Sequence, residues 1–157
     1  MKTRRFTASA TSPGIAIGLA KRVHTHGATF IKTWIKDQDI ESEVTKFRTA
    51  IQMAREQLSR VQAKMCKYQG NDQIKILESH RLFLQDDMLI SATVKNIEHF
   101  KINAEWALDK TLAHLKLSFL NINEDYFKER RQDIDYVGRR VMNNLVGSAE
   151  PALIDLP

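Results

Sequence analysis

The chain has 157 residues, 43% hydrophobic and 27% charged, which is ordinary for a globular fold with a substantial core. Its net charge of +5 is uneven: residues 1–36 hold seven basic side chains and no acid, so the rest carries 17 basic against 19 acidic residues. No apolar run approaches the roughly 20 residues of a membrane helix, no signal-type run follows the basic start, and the single cysteine, Cys66, excludes an internal disulfide and suits a cytoplasmic protein.

Residues 12–36 read as strands and turns. Pro13-Gly14 is a turn signal, and Ile15, Ile17 and Leu19 alternate with small residues as in a strand with one buried face. His24 to Gly27 reads as a turn, and Phe30 to Ile35 as a second short strand.

From about residue 38 the period becomes helical. Val44, Phe47, Ile51, Ala54, Leu58, Val61, Met65 and Tyr68 follow at alternating steps of three and four, which predicts one long helix with an apolar seam. Gly70 supplies its stop, and Asn71 or Asp72 a cap for the next helix. That second helix, about 72–85, carries one stripe of Ile74, Leu77, Arg81 and Leu84 and another of Ile76, His80 and Phe83. Asp86-Asp87 offers a fresh cap, so a kink or break is expected there before a piece from about 88 to 101.

Asn103 reads as the cap of a helix starting near Ala104. Leu108, Leu112, Leu115 and Phe119 form its stripe, widened by Trp106, Ala113, Leu117 and Leu120. A last helix, about 124–146, turns Phe127, Ile134, Val137, Val141 and Leu145 inward and ends at Gly147. Pro151 to Pro157 reads as an extended tail. The fold expected is mainly α: a four-helix bundle of two hairpins, one helix kinked, joined to a small β element from the N-terminal segment.

Catalytic constellations are scarce. A di-iron bundle needs Glu-x-x-His on two helices, whereas this chain has Glu78-Ser79-His80 and Glu98-His99, so no metal site is expected. His24-x-His26 shows no third ligand and reads as a surface turn. Cys66 lies near Lys64 and Lys67 but has no identifiable base. His99 and His114 read as surface or core-edge residues, and Gly14-x-x-x-Gly18 lacks the Lys-Ser/Thr of a phosphate loop. The stripe of Ile76, His80 and Phe83 is left over once the first stripe supplies a core face; turned outward, it would mark a partner site.

Two runs carry a family resemblance: Ser12-Pro13-Gly14-Ile15-Ala16-Ile17-Gly18, and Asp125 through Arg140, which contains Lys128-Glu129-Arg130 and Tyr136-Val137-Gly138. With the helical stretch between them, the chain resembles the N-terminal part of Enzyme I, the phosphoenolpyruvate–protein phosphotransferase of the bacterial phosphotransferase system. The segment from Glu78 to Leu89 is similar to that family's Glu-Gly-His…Leu-Leu-x-Asp run. The resemblance implies a helical domain, 38–147, that docks the small phosphocarrier HPr. Residues 1–37 would be a leader and strands of an incomplete phosphohistidine domain, and 148–157 a linker into its next strand.

Carried over residue by residue, Asp72, Ile76, Glu78, His80, Leu82, Phe83, Asp86 and Leu89 stand where the carrier-binding surface would be, with Arg130 nearby. Asn71 and Met88 stand where the family tends to have acids, a departure that weakens electrostatic steering. Trp106 and the Ala16-Ile17-Gly18 run look more like the nitrogen-related paralogue, which docks the carrier NPr.

The family's Gly-Gly…Ser-His-Ala phosphohistidine motif is nowhere in these residues, so no catalytic residue is expected here and the fragment alone is expected to be inactive. Phosphoenolpyruvate and Mg²⁺ would serve the parent enzyme and no cofactor this fragment. Expected partners are HPr or NPr, the rest of the parent enzyme, and a second copy through residues 12–36, whose strands would leave an open edge. The competing reading is a helical protein- or nucleic-acid-interaction module with no phosphotransfer role, using the basic N-terminal segment.

Overall fold

In a computed structural model the described residues are Ile15, 29–65, 71–120 and 125–147, with backbone alone at 65, 71–75, 119–120 and 125–132. The first expected strand beyond Ile15, the His24–Gly27 turn, Cys66, Gly70 and the tail from Pro151 lie outside them.

The seam read from Val44 to Leu58 builds α1, Ile40–Met65, entered through a 3-10 turn at Asp37–Asp39. Phe47, Ala50, Ile51, Ala54 and Leu58 are buried along it. Fully burying a side chain of the size of Phe47 or Leu58 contributes about 1.5–3 kcal/mol. Acidic Glu41 and Glu43 sit in the first turn, where the helix dipole favours negative charge.

α2 spans Asn71–Phe83 and α3 Asp87–Phe100. The expected break falls between them: Asp86 has extended backbone, and its side chain accepts the Met88 N–H at 2.8 Å, a normal N-cap. α2 packs on α1 and α5, and α3 on α4 and α1, so the two serve as one kinked helix of the bundle. α4, Ala104–Leu120, returns along α3, and α5, Asp125–Leu145, packs on α1 and α4. Ile134, Val137, Val141 and Leu145 face the core as expected, and Gly147 follows α5 with φ 69°, a left-handed conformation that glycine adopts freely. The result is a mainly α four-helix bundle with one kinked member.

Three expectations need correction. Ala113 and Leu117 face outward on α4; among the described side chains of that helix the buried ones are Ala104, Glu105, Ala107, Leu108, Thr111 and Leu115, Phe119 and Leu120 lying outside the described set. A heptad-like extrapolation drifts off the core face because the partner helices, not the period alone, set which arc is covered.

Asn103 does not cap α4. Its Oδ1 accepts the Thr33 N–H at 3.2 Å, and its Nδ2 donates to Ile31 O at 2.9 Å and to Glu105 Oε2 at 2.8 Å. The cap comes from α1 instead: Glu43 Oε2 accepts the Ala104 N–H at 2.7 Å.

Phe30 to Ile35 does not enter a sheet ladder. Among the described residues its β pairing is one antiparallel bridge, Trp34 to Ile102, on the α3–α4 turn. Ile35 N donates to Lys101 O at 2.8 Å and Asn103 N to Thr33 O at 3.0 Å, so the backbone of this segment is occupied by the bundle rather than left as an open edge. Trp34 meets Trp106 edge-to-face at 5.0 Å, and Lys32 pairs with Asp109 at 3.2 Å, tying the segment down on α4.

Candidate functional site

The α2–α3 corner is where the expected surface residues part company. Three large apolar side chains stay outside: Ile76 is 54% exposed, Leu82 63% and Met88 64%. Glu78, Arg81, Gln85, Asp86 and Asp87 are also exposed, which sets these apolar groups among three carboxylates and one guanidinium. Leu82 lies in the last turn of α2 and Met88 in the first turn of α3, so both flank the break. Asp86 has a structural task besides any contact, since it caps α3.

Phe83 and Leu89, expected at the surface, are in the core, Leu89 with no exposure at all. His80 is 6% exposed. The stripe of Ile76, His80 and Phe83 is therefore not an outward one: the buried face of α2 is drawn from both stripes, with Leu77 half-buried and His80, Phe83 and Leu84 covered. Asp72 lies at the start of α2 and Arg130 in α5, and their side chains are outside the described set. Met88 joins the exposed apolar group without having been singled out as a contact; its place directly after Asp86-Asp87, at the start of a helix, was the available signal.

Two side chains pin the corner to the bundle. Arg55 of α1 donates from Nη2 to Leu84 O at 2.8 Å, satisfying a carbonyl freed where α2 ends. His80 Nε2 lies 3.0 Å from Asp133 Oδ1 of α5. A carboxylate only accepts, so Nε2 carries the proton. The His80 ring also stacks on Tyr136, centroids 5.2 Å apart and planes 19° apart. Sequence reading did not find Asp133 or Tyr136, which stand more than fifty residues from His80 and share no local spacing with it.

The other histidines on helices, His99 and His114, are exposed. Among the described residues no three His, Cys, Asp or Glu side chains are grouped to hold a metal ion, and no helix is long and apolar enough to cross a membrane. The corner thus presents exposed apolar groups and carboxylates on α2, α3 and the turn between them.

Residues 7–130 match the family described as PEP-utilising enzyme, N-terminal, and the chain belongs to that family. It is 36% identical over 148 residues to the phosphoenolpyruvate-protein phosphotransferase of Listeria monocytogenes, a match covering 93% of this chain and 26% of that protein. The protein of the same name from Bacillus subtilis is 34% identical over 140 residues, 89% of this chain and 24% of that one. An NMR solution structure of Enzyme I is similar with a TM-score of 0.72 and 28% identity, over 76% of this chain and 48% of that chain. The chain thus spans about a quarter of the length of these curated relatives, and it corresponds to the helical N-terminal region of Enzyme I.

Proposed function

We propose that this chain is the carrier-docking portion of a phosphoenolpyruvate–protein phosphotransferase. It holds HPr or NPr while a phosphohistidine elsewhere in the parent enzyme hands over its phosphoryl group. Residues 38–147 form the docking domain in this reading, and residues 1–37 and 148–157 belong with the phosphohistidine part. Phosphoryl transfer depends on placing donor and acceptor in line, and this portion supplies placement. Phosphoenolpyruvate and Mg²⁺ act in the parent enzyme.

The observation that carries the reading is the corner itself. Ile76, Leu82 and Met88 are exposed beside Glu78, Asp86 and Asp87, a surface suited to a partner patch that is both apolar and basic. Buried Phe83 and Leu89 act from beneath by fixing the corner; Asp72 lies in the first turn of α2 and Arg130 in α5.

Calorimetric titration with HPr and with NPr of the source organism tests it. Leu82→Asp places a charge at the centre of the exposed apolar group and is expected to weaken carrier binding by at least about tenfold, as loss of a central interface anchor does. Unchanged affinity in that variant would remove the corner from the interface.

A further inference from the structure

α2 bears two of the exposed apolar residues, and among its described side chains Leu77, His80 and Phe83, with Leu84 just past its end, are turned to the bundle. Leu77, Phe83 and Leu84 are plain apolar contacts. His80 is different. It lies 6% exposed, one turn after Ile76 and two residues before Leu82, and its Nε2–H donates to Asp133 Oδ1 at 3.0 Å. Among the described residues this is the side-chain hydrogen bond that joins α2 to α5. Its other nitrogen, Nδ1, is buried with no hydrogen-bond partner among the described residues.

A leucine there would fill the space and remove the unmatched Nδ1, while taking the donor from the partly exposed Asp133 carboxylate. What it would lack is direction. Apolar contacts resist pulling a helix away but resist its rolling only weakly, whereas a hydrogen bond from the last turn of α2 to a carboxylate on α5 fixes the roll angle. The Tyr136 ring, stacked on the imidazole at 5.2 Å and with the Arg140 guanidinium 5.8 Å from its centroid, fixes the plane of that imidazole. The lever is large: a roll of about 20° moves a side-chain tip, at a radius of about 5 Å, by roughly 2 Å. A contact surface needs its groups held to about 0.5 Å.

We infer that His80 and Asp133 are positioning residues: their hydrogen bond sets the roll of α2 and so the presentation of Ile76 and Leu82 to the carrier, an inference that rests on the docking reading. The pair acts through the helix.

The test uses His80→Leu, which fills the site without a donor; His80→Gln, which keeps one; Asp133→Ala; and the His80→Leu/Asp133→Ala double variant. Each is titrated with HPr and NPr, and the orientation of α2 relative to α1 and α4 is read from backbone residual dipolar couplings. A thermal melt of each variant confirms folding. His80→Leu is expected to remain folded yet to bind the carrier about tenfold more weakly, with α2 couplings that no longer fit the wild-type orientation. His80→Gln is expected to stay within about twofold, and the double variant to lose no more than either single one. Wild-type affinity in His80→Leu, unchanged α2 couplings, or losses that multiply in the double variant would each overturn the inference. If the wild-type chain binds neither carrier, the docking reading falls. The couplings then still decide the clamp, a shift in His80→Leu upholding the control of α2 and no shift refuting it.

Discussion

The Glu43 carboxylate of α1 accepts the backbone N–H of Ala104 at 2.7 Å, so one helix caps the start of another 61 residues further along the chain. Lys46 lies one turn on from Glu43 and bonds Glu105 Oε1 at 2.6 Å, which keeps the buried Glu105 carboxylate paired. Glu43→Ala leaves the Ala104 donor without its acceptor and is expected to lower stability by about 1–2 kcal/mol, within the range of a lost cap. Glu43→Gln keeps an acceptor oxygen and is expected to lose less than half as much. Urea midpoints at unchanged m-value measure both.

Gly138 is a second long-range contact, between α5 and α4. A Cβ at that position would lie 2.5 Å from Leu112 Cδ1 and 3.3 Å from its Cγ. Gly138→Ala gains about 1 kcal/mol of helix propensity but overpacks the contact at a cost of about 1–3 kcal/mol, so a net loss is expected. In a Leu112→Ala background the obstruction is gone, and the same change is expected to stabilise by up to about 1 kcal/mol. The reversal of sign in thermal melts is the check; a loss of equal size in both backgrounds would contradict it.

Asn103 secures the segment ahead of the bundle through Thr33, Ile31 and Glu105. Asn103→Ala is expected to release that segment while leaving the helices folded. Amide hydrogen exchange at Thr33 and Ile35 is expected to quicken about tenfold or more, with core amides of α1 and α5 unchanged. Equal protection in the variant would mean that the Trp34–Trp106 contact and the Trp34–Ile102 bridge hold the segment without it.

Charge at the corner is expected to act on encounter more than on residence. Glu78→Lys is expected to reduce the carrier association rate about three- to tenfold at low ionic strength and to flatten its salt dependence, with a smaller change in dissociation. Stopped-flow binding at two salt concentrations separates the rates.

Much of this fold is written in the sequence because α1 and α5 have one covered face each. The steps from Phe47 through Leu58, and from Ile134 through Leu145, needed no knowledge of neighbours to be read as buried. The break at Asp86 was legible for the same reason, since a cap is a local hydrogen bond. The failures are all non-local. Asn103 has the chemistry of a cap, but Glu43 reaches Ala104 first and frees the Asn103 side chain for Thr33 and Ile31. α2 offers two apolar stripes, and only the placement of α1 and α5 decides that the covered face takes Leu77 and Leu84 from one and His80 and Phe83 from the other. The candidate surface was thus half legible: Ile76, Glu78, Leu82 and Asp86 are outside, while Phe83 and Leu89 are beneath it.

Docking of a phosphocarrier at the α2–α3 corner is the proposal on which the rest depends. The most direct measurement is an NMR titration of the isotope-labelled chain with unlabelled HPr and, separately, NPr. Saturable shift changes from one carrier, concentrated at Ile76, Glu78, Leu82 and Asp86 to Met88, are the predicted result and also name the branch of the system. Absence of binding by either carrier, or saturable shifts confined to helices away from residues 76–88, would contradict the account.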